Sequence, residues 1–387
     1  MNWDLILLLA FWAILLIIIY THKSKFEIQG KVIALYRTAL GLKAMRFVAD
    51  RFPRTLRVLG YIGVVAGFLG MVVMLGFLVY GTWQLIFVPS AQPVLSPVLP
   101  GVAIPGLPRL SFFHWIITIF IVAAVHEFAH GVLSFVHKIH VKSSGFALFG
   151  PILAAFVEPD EQALDKAPKR ASLSVLAAGA FANFLLTIPF LLLFAFVMNP
   201  VAAQLYMVPD GIIVQNVTVG GPLDGQLQVG ERLMQVNGQD LVSIQDFLGA
   251  LDGLKPGDTV ALVTDKSAFN IIASQHPDFP EKGYLGVVIS QSITSTRPAW
   301  ETSAFLWVSL LVFWVYAVSL GIGLFNLLPL GPIDGGRMLY IVLLSFLPEK
   351  KAKKIWGWVS YLVLALIIIN LLPFLYKLVL YIASFFV

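Results

Sequence analysis

The sequence predicts an α-helical polytopic membrane protein of about six transmembrane helices plus re-entrant segments, with a small β-rich domain inserted before the fifth crossing. Three observations carry that expectation. Apolar residues make up 58% of the 387-residue chain and the mean hydropathy is +0.86, far above the soluble norm. Apolar runs long enough to cross a bilayer recur along the whole length. One interval alone, residues 201–298, is polar and rich in turns.

The crossings are expected at about 4–20, 58–82, 112–136, 171–198, 303–328 and 355–386. The first lacks a preceding basic segment and a small-residue cleavage site, so it reads as an uncleaved anchor. The basic residues follow it from Lys23 onward, which places the N-terminus outside the cytoplasm. Alternating crossings then put residues 21–57, 137–170 and 329–354 inside, and these hold most of the chain's 26 Lys and Arg. That bias sets the orientation and leaves no reason to invoke nucleic acid.

Residues 1–111 form a domain of two N-terminal crossings joined by a basic amphipathic segment. In residues 26–57, Val32, Ile33, Tyr36 and Leu40 alternate with Lys31, Arg37, Lys43 and Arg46, which suggests a helix lying on an anionic lipid surface. Gly63 and Gly67 form a GxxxG in the second crossing, a device for close helix approach. Residues 112–200 are the first part of the membrane core. Residues 299–347 are its second part, and a short apolar piece there, Met338 to Leu347, suits a half-helix. The last crossing, within residues 348–387, contains Pro373 and is expected to kink or end early.

Within residues 201–298 acidic groups outnumber basic ones about two to one, as suits a soluble extracytoplasmic domain. Short β-type runs (GIIVQNV, ERLMQVNG, TVALVT, NIIAS, GYLGVVI) alternate with GGPLDG, NGQD and KPGD turns, and one helical stretch lies near Ser243 to Leu254.

Chemistry concentrates in HEFAH, residues 126–130. A chain without cysteine has no disulfides, cysteine zinc sites or thiol catalysis, so a bound metal must use His, Asp or Glu. On a helix, His126 and His130 lie one turn apart and about 40° around the axis, so both imidazoles reach one ion. Glu127 sits beside that face, where its carboxylate takes a proton from a metal-activated water. The apolar stretches on both sides leave no solvated face. Three ionisable groups at membrane depth cost roughly 2.5 to 3.5 kcal/mol each if charged, which a bound metal would offset.

A catalytic metal site needs a third protein ligand. Glu158, Asp160, Glu161 and Asp334 are the candidates near membrane depth. NLLPLGPIDGGR, Asn326 to Arg337, ends the fifth crossing with prolines and glycines that free backbone groups at a depth where only protein or a water-filled cavity satisfies them. Asp334 is taken as the third ligand; Glu158 or Glu161 would fill that role in a membrane-anchored protease acting on soluble or misfolded proteins. HEFAH and Asp334 both close helices entering from outside, so they meet at similar depth on the cytoplasmic side. A non-enzymatic peptide receptor or a metal transporter is the alternative from another class.

HEFAH with NLLPLGPIDGG resembles the site-2 protease family of intramembrane zinc metalloproteases, whose pattern is HExxH plus N-x-x-P-x-x-x-x-D-G. Asn326, Pro329, Asp334 and Gly335 fall on that pattern. AAGAFANF, Ala177 to Phe184, and GFALFGPILAAFVEP, Gly145 to Pro159, also look like that family, and the resemblance covers roughly residues 112–347. It implies one zinc ion per chain, with His126, His130 and Asp334 as ligands and Glu127 as catalytic base. It implies a substrate contact at Asn326, and an extended segment including Gly145, Phe146, Ala147 and Leu148 whose edge pairs with an unwound substrate. Substrates would be single-pass membrane proteins or leftover signal peptides within the lipid bilayer. The ligand set would also accept cobalt or iron. GGPLDGQLQVGERLMQVNGQDL is similar to a PDZ domain, implying peptide capture by strand addition near Gly211 to Val214. Compact loops and the lack of cysteine suit a prokaryotic cytoplasmic membrane. The other histidines, His22, His114, His137, His140 and His276, are expected at interfaces or in solvent.

Overall fold

The computed structural model describes residues 3–29, 33–88, 91–104, 106–149 and 152–383. Two compact units emerge, Met1–Phe194 with Leu310–Val387, and Ala195–Ser309. Among the described residues six helices are long and apolar enough to span a bilayer. The chain is an integral membrane protein.

Helix α1, Trp3–Thr21, opens the first unit. Asp4 near its start accepts a hydrogen bond from the Phe112 amide at 3.1 Å and pairs with Arg109 at 2.9 Å. Phe112 begins another spanning helix, so the two helices start at the same end and run in the same sense, as alternating crossings require.

The basic segment that follows is not one interfacial helix. It forms strands β1, Glu27–Gln29, and β2, Ile33–Thr38, and only then helix α2, Leu42–Arg51. Lys31 and Val32 lie outside the described residues. Residues 33–38 become a strand by pairing with β3, and Gly41 breaks the backbone with φ +79° before α2 begins. Helix α3, Pro53–Phe87, starts with proline at its first position, where the missing N–H costs nothing. Gly60, Gly63 and Gly67 share a buried face of α3. An added Cβ would meet Ser174 at Gly60, Phe181 at Gly63, and Met338 and Ala177 at Gly67. The GxxxG is therefore a packing surface.

Helix α4, Phe112–Val136, carries HEFAH. It leads into hairpin β3, Val141–Phe149, and β4, Ile152–Pro159. The four strands make an antiparallel sheet in the order β1-β2-β3-β4. In its register Arg37 faces Gly145 and Phe146 faces Ala155. β2 therefore takes the β3 edge expected to be open to substrate at Gly145, Phe146, Ala147 and Leu148. A side chain at Gly145 would collide with the Tyr36 carbonyl, so glycine permits that pairing. β4 is left as the edge strand.

A short helix α5, Glu161–Lys166, capped by Asp160, precedes helix α6, Lys169–Leu193. The buried face of α6 is built from small residues, among them Ser174, Ala177, Ala178, Gly179 and Ala180. They let α3 and α4 approach closely, and the shared core includes Met45, Val132, Leu133, Leu327 and Met338. Beyond Pro189 the helix continues through wide turns and the three-residue helix α7, Asn199–Val201, to Tyr206.

The second unit contains β5, Val208–Val217; β6, Arg232–Val236; β7, Gln239–Asp240; helix α8, Ile244–Ala250; β8, Thr259–Thr264; and β9, Ala268–Ile272. β10, Ser274–Gln275, β11, Gly283–Tyr284, and β12, Val287–Thr294, complete it. The main sheet runs β12-β5-β6-β8-β9 with β7 on β6, over a core that includes Ile212, Leu223, Leu233, Phe247 and Val260. β5 is paired on both sides, so strand addition at Gly211–Val214 is blocked by β12 and β6. The sheet edge on that side is β12.

Helix α9, Ala299–Asn326, returns to the first unit at Leu310. Helix α10, Asp334–Phe346, is the expected half-helix, and α11, Glu349–Ala383, runs through Pro373 without ending there. A membrane helix tolerates proline where neighbouring groups satisfy the freed carbonyl.

Candidate functional site

The site forms where α4, α6 and the start of α10 meet. His126 and His130, one turn apart on α4, are 7% and 9% exposed. Their Nε2 atoms lie 3.1 Å apart. Asp334 places Oδ2 3.2 Å from Nε2 of His126 and 3.3 Å from Nε2 of His130. Among the described residues these three offer a set of ligand atoms that could hold one metal ion.

The surroundings fix how these groups present themselves. His130 Nδ1 lies 2.7 Å from the Val175 carbonyl, which can only accept, so this nitrogen carries the proton and Nε2 the lone pair. Asn183 turns Nδ2 to within 3.2 Å of His126 Nδ1 and leaves Oδ1 without a partner among the described residues; with this buried amide turned over, Oδ1 accepts from Nδ1–H and Nε2 of His126 is left unprotonated as well. With both rings neutral and protonated at Nδ1, two imidazole lone pairs and a carboxylate oxygen converge on one point, an arrangement that repels itself unless a cation sits there.

Size and space agree with a metal. Ligands about 2.0–2.1 Å from a tetrahedral ion lie about 3.3–3.4 Å apart, against 3.1–3.3 Å between these three atoms. Gly179 on α6 faces the same point, and a Cβ there would collide with Nε2 of both histidines. Glycine keeps open the space a cation needs. Gly179 and Asn183, one turn apart on α6, were not singled out as site residues from the sequence. The signal was in AAGAFANF, where glycine and asparagine stand four apart on an otherwise apolar face.

Asp334 owes its position to the irregular chain before it. α9 ends at Asn326, and Pro329 and Pro332 hold the following segment out of helix. Gly335 and Gly336 are buried, and side chains there would strike the carbonyls of Leu327 and Leu330. The two glycines let the first turn of α10 pack against that backbone. Trp356 donates to the Gly336 carbonyl at 2.9 Å, and Ser360 accepts from the Gly331 amide at 2.9 Å, so α11 secures the turn. Sequence reasoning missed both residues, because a Trp and a Ser on an apolar helix carry no local signal.

Glu127 lies off this cluster. Its Oε2 accepts a hydrogen bond from the Val157 amide of β4 at 2.8 Å. The carboxylate lines an apolar cavity of about 440 Å³ bounded by α4, β3, β4 and the chain around Leu40. Among the described residues that line it, Glu127 is the only ionisable one.

The remaining acidic candidates are engaged elsewhere. Glu158 pairs with Arg37 and accepts from Ser143 at 2.7 Å. Asp160 accepts from the amides of Gln162 and Ala163 at the start of α5. Those bonds hold its carboxyl below its ordinary range. Glu161 lies 4.0 Å from Arg337. Asn326 donates within its own helix to the Ile322 carbonyl at 3.1 Å. Of the outlying histidines, His114 is buried near the start of α4, and its Nδ1 lies 2.6 Å from the Ser111 hydroxyl that caps the helix. His137 bonds Ser174 at 3.2 Å, while His22 and His140 are exposed.

A helix-borne HExxH whose imidazoles meet a carboxylate from a second membrane-core helix defines a metallohydrolase class of site. The chain belongs to Peptidase family M50, which matches residues 114–353. It is thus a membrane metallopeptidase. It is 27% identical over 354 residues to an uncharacterized protein of the archaeon Methanocaldococcus jannaschii, covering 87% of this chain and 85% of that one.

The β-rich unit is similar to the PDZ domain of an SdrC-like protein from Listeria monocytogenes, at 21% identity and a TM-score of 0.20, covering 21% of this chain and 90% of that one. It is also similar to a protein of Geobacillus thermodenitrificans, at 23% identity and a TM-score of 0.19, covering 21% and 97%. The unit itself is one main sheet in the order β12-β5-β6-β8-β9 with the single helix α8, a PDZ-like arrangement.

Proposed function

We propose that the protein is an intramembrane zinc metalloendopeptidase that hydrolyses peptide bonds within or near the transmembrane segments of single-pass membrane proteins or leftover signal peptides. The observation that carries this reading is the convergence of His126, His130 and Asp334 within 3.3 Å of one another, borne on a spanning helix and on the turn that follows another. In this assignment the three residues hold one zinc ion. Zinc so bound supplies Lewis acidity, making water nucleophilic near neutral pH and polarising a scissile carbonyl.

The rest falls to the chain's own groups. Val157 holds Glu127 through Oε2, so proton transfer to and from the reacting groups falls to Oε1. Asn183 and the Val175 carbonyl orient the imidazoles through Nδ1. The apolar cavity takes the substrate's apolar residues out of lipid.

A helical substrate hides its amides and must unwind before attack. β4 supplies a template for the unwound segment in place of the Gly145–Leu148 stretch. Alternate residues of a strand turn their N–H and C=O groups to the same side. The Val157 amide reaches Glu127 from the free edge of β4, so Ala155, two residues away, presents its groups beside the same cavity. Strand addition there brings the substrate backbone past the base. By the positive-inside bias, the N-terminus and the PDZ domain lie outside and the site near the cytoplasmic face of a prokaryotic membrane.

Glu127→Gln tests the assignment. The variant is expected to keep one metal ion per chain and to lose cleavage of a membrane-spanning substrate by about 10²-fold or more. Undiminished cleavage removes the reading, and a wild-type protein that cuts only soluble unfolded chains restricts it to a membrane-anchored protease.

A further inference from the structure

One wall of the cavity beside Glu127 comes from outside the family match. Thr38, Leu40, Gly41 and Met45 line it, all well before residue 114, where the match begins. The β1–β2 hairpin carries this segment, docked on β3 and held by the Arg37–Glu158 ion pair.

Of these, Met45 packs against Gly131 of α4. It is 5% exposed. A Cβ on Gly131 would strike its sulfur and would lie 3.4 Å from Val157 Cγ1. Gly131 stands four residues after Glu127, one turn further along the same face of α4. Val157 is also the residue whose amide holds Glu127. The thioether, the Val157 side chain and the α4 backbone therefore close the end of the cavity beside the carboxylate.

Resting on the peptidase reading above, we propose that Met45 sets the size of the substrate side chain that lodges next to Glu127. The enzyme then cleaves beside a compact apolar residue and rejects a bulky aromatic one at that position. The preference is for volume, because the thioether offers an apolar, polarizable surface with no hydrogen-bond donor. Pocket discrimination of one methylene is worth about 10-fold to 200-fold in kcat/KM. Met45 differs from alanine by more than one methylene, so its effect falls at or above the lower end of that range.

The test uses the full-length protein and single-span substrates carrying Ala, Leu, Phe or Trp at each of the two positions on either side of the cleaved bond. The readout is the ratio of kcat/KM for Ala over Phe within each enzyme, so the active fraction cancels. Wild type is expected to favour Ala about tenfold or more at one position. Met45→Ala should erase most of that ratio there and nowhere else, Met45→Leu should preserve it, and Met45→Phe should steepen it. An unchanged ratio in Met45→Ala at all four positions overturns the proposal, as does a wild type that discriminates at none. If wild type cleaves no membrane substrate, the peptidase reading fails and the proposal falls with it.

Discussion

Gly179→Ala is the sharpest perturbation of the metal centre, because it adds one methyl group and touches no ligand. The new Cβ would press on Nε2 of both His126 and His130. A carbon in van der Waals contact needs about 3.5 Å from those nitrogens, so the rings or α6 must withdraw by about 1 Å. Metal sites tolerate about 0.2 Å in their ligand distances. Loss of outer hydrogen-bonding partners alone weakens binding about 10-fold to 100-fold, and filling the space of the ion should exceed that. After dialysis against a chelator, metal content measured by elemental analysis should fall from about one ion per chain to below about a tenth. Gly63→Ala is the control for packing. Its Cβ would meet the Phe181 side chain at 3.1 Å, away from the imidazoles and from Asn183, so it should keep its metal. Full metal content in folded Gly179→Ala protein would refute the placement of the ion.

Other outcomes follow from the same geometry. Asp334→Ala should abolish metal binding by elemental analysis, whereas Glu158→Ala should retain it and lower thermal stability through the lost Arg37 contact; the opposite pattern would make Glu158 the ligand. Ala155→Pro removes one amide from the free edge of β4 while leaving the ladder to β3 intact. It should cut cleavage of a membrane-spanning substrate at least tenfold with metal retained, and full activity would exclude strand addition there. In the PDZ domain the amides of Ser243 and Val242 bond the Asp246 carboxylate at 2.7 and 3.0 Å and hold its pKa below the usual range. A depressed carboxyl stabilises the fold above its unfolded pKa and loses that contribution as pH falls through the lower folded value. Asp246→Asn should therefore speed hydrogen exchange of the α8 amides near neutral pH, with the difference from wild type vanishing in acid; a difference independent of pH would refute the cap.

The membrane helices were legible because lipid imposes a length and a polarity on any segment that crosses it. The two motifs were legible because helical spacing alone puts His126 and His130 on one ion. Residues 33–38 were misread, since their strand pairing depends on β3, over a hundred residues away in the chain. The same pairing decided that Gly145 to Leu148 lie inside the sheet and that β4 is its edge. In the PDZ domain the individual strands were legible, but β12 joins β5 across some seventy residues and closes the edge expected at Gly211.

By itself, then, the order of residues determined where the chain enters and leaves the bilayer, which helix carries the paired imidazoles, and which irregular turn supplies the aspartate. These follow from local periodicity and from the cost of burying polar groups. Only the tertiary structure decided that Gly179 reserves the space between the ligands, that Asn183 and Val175 set the ring orientations, and that Met45 closes the cavity beside Glu127. Each of those depends on how closely two distant segments approach, a quantity that packing fixes and that no spacing along one segment encodes.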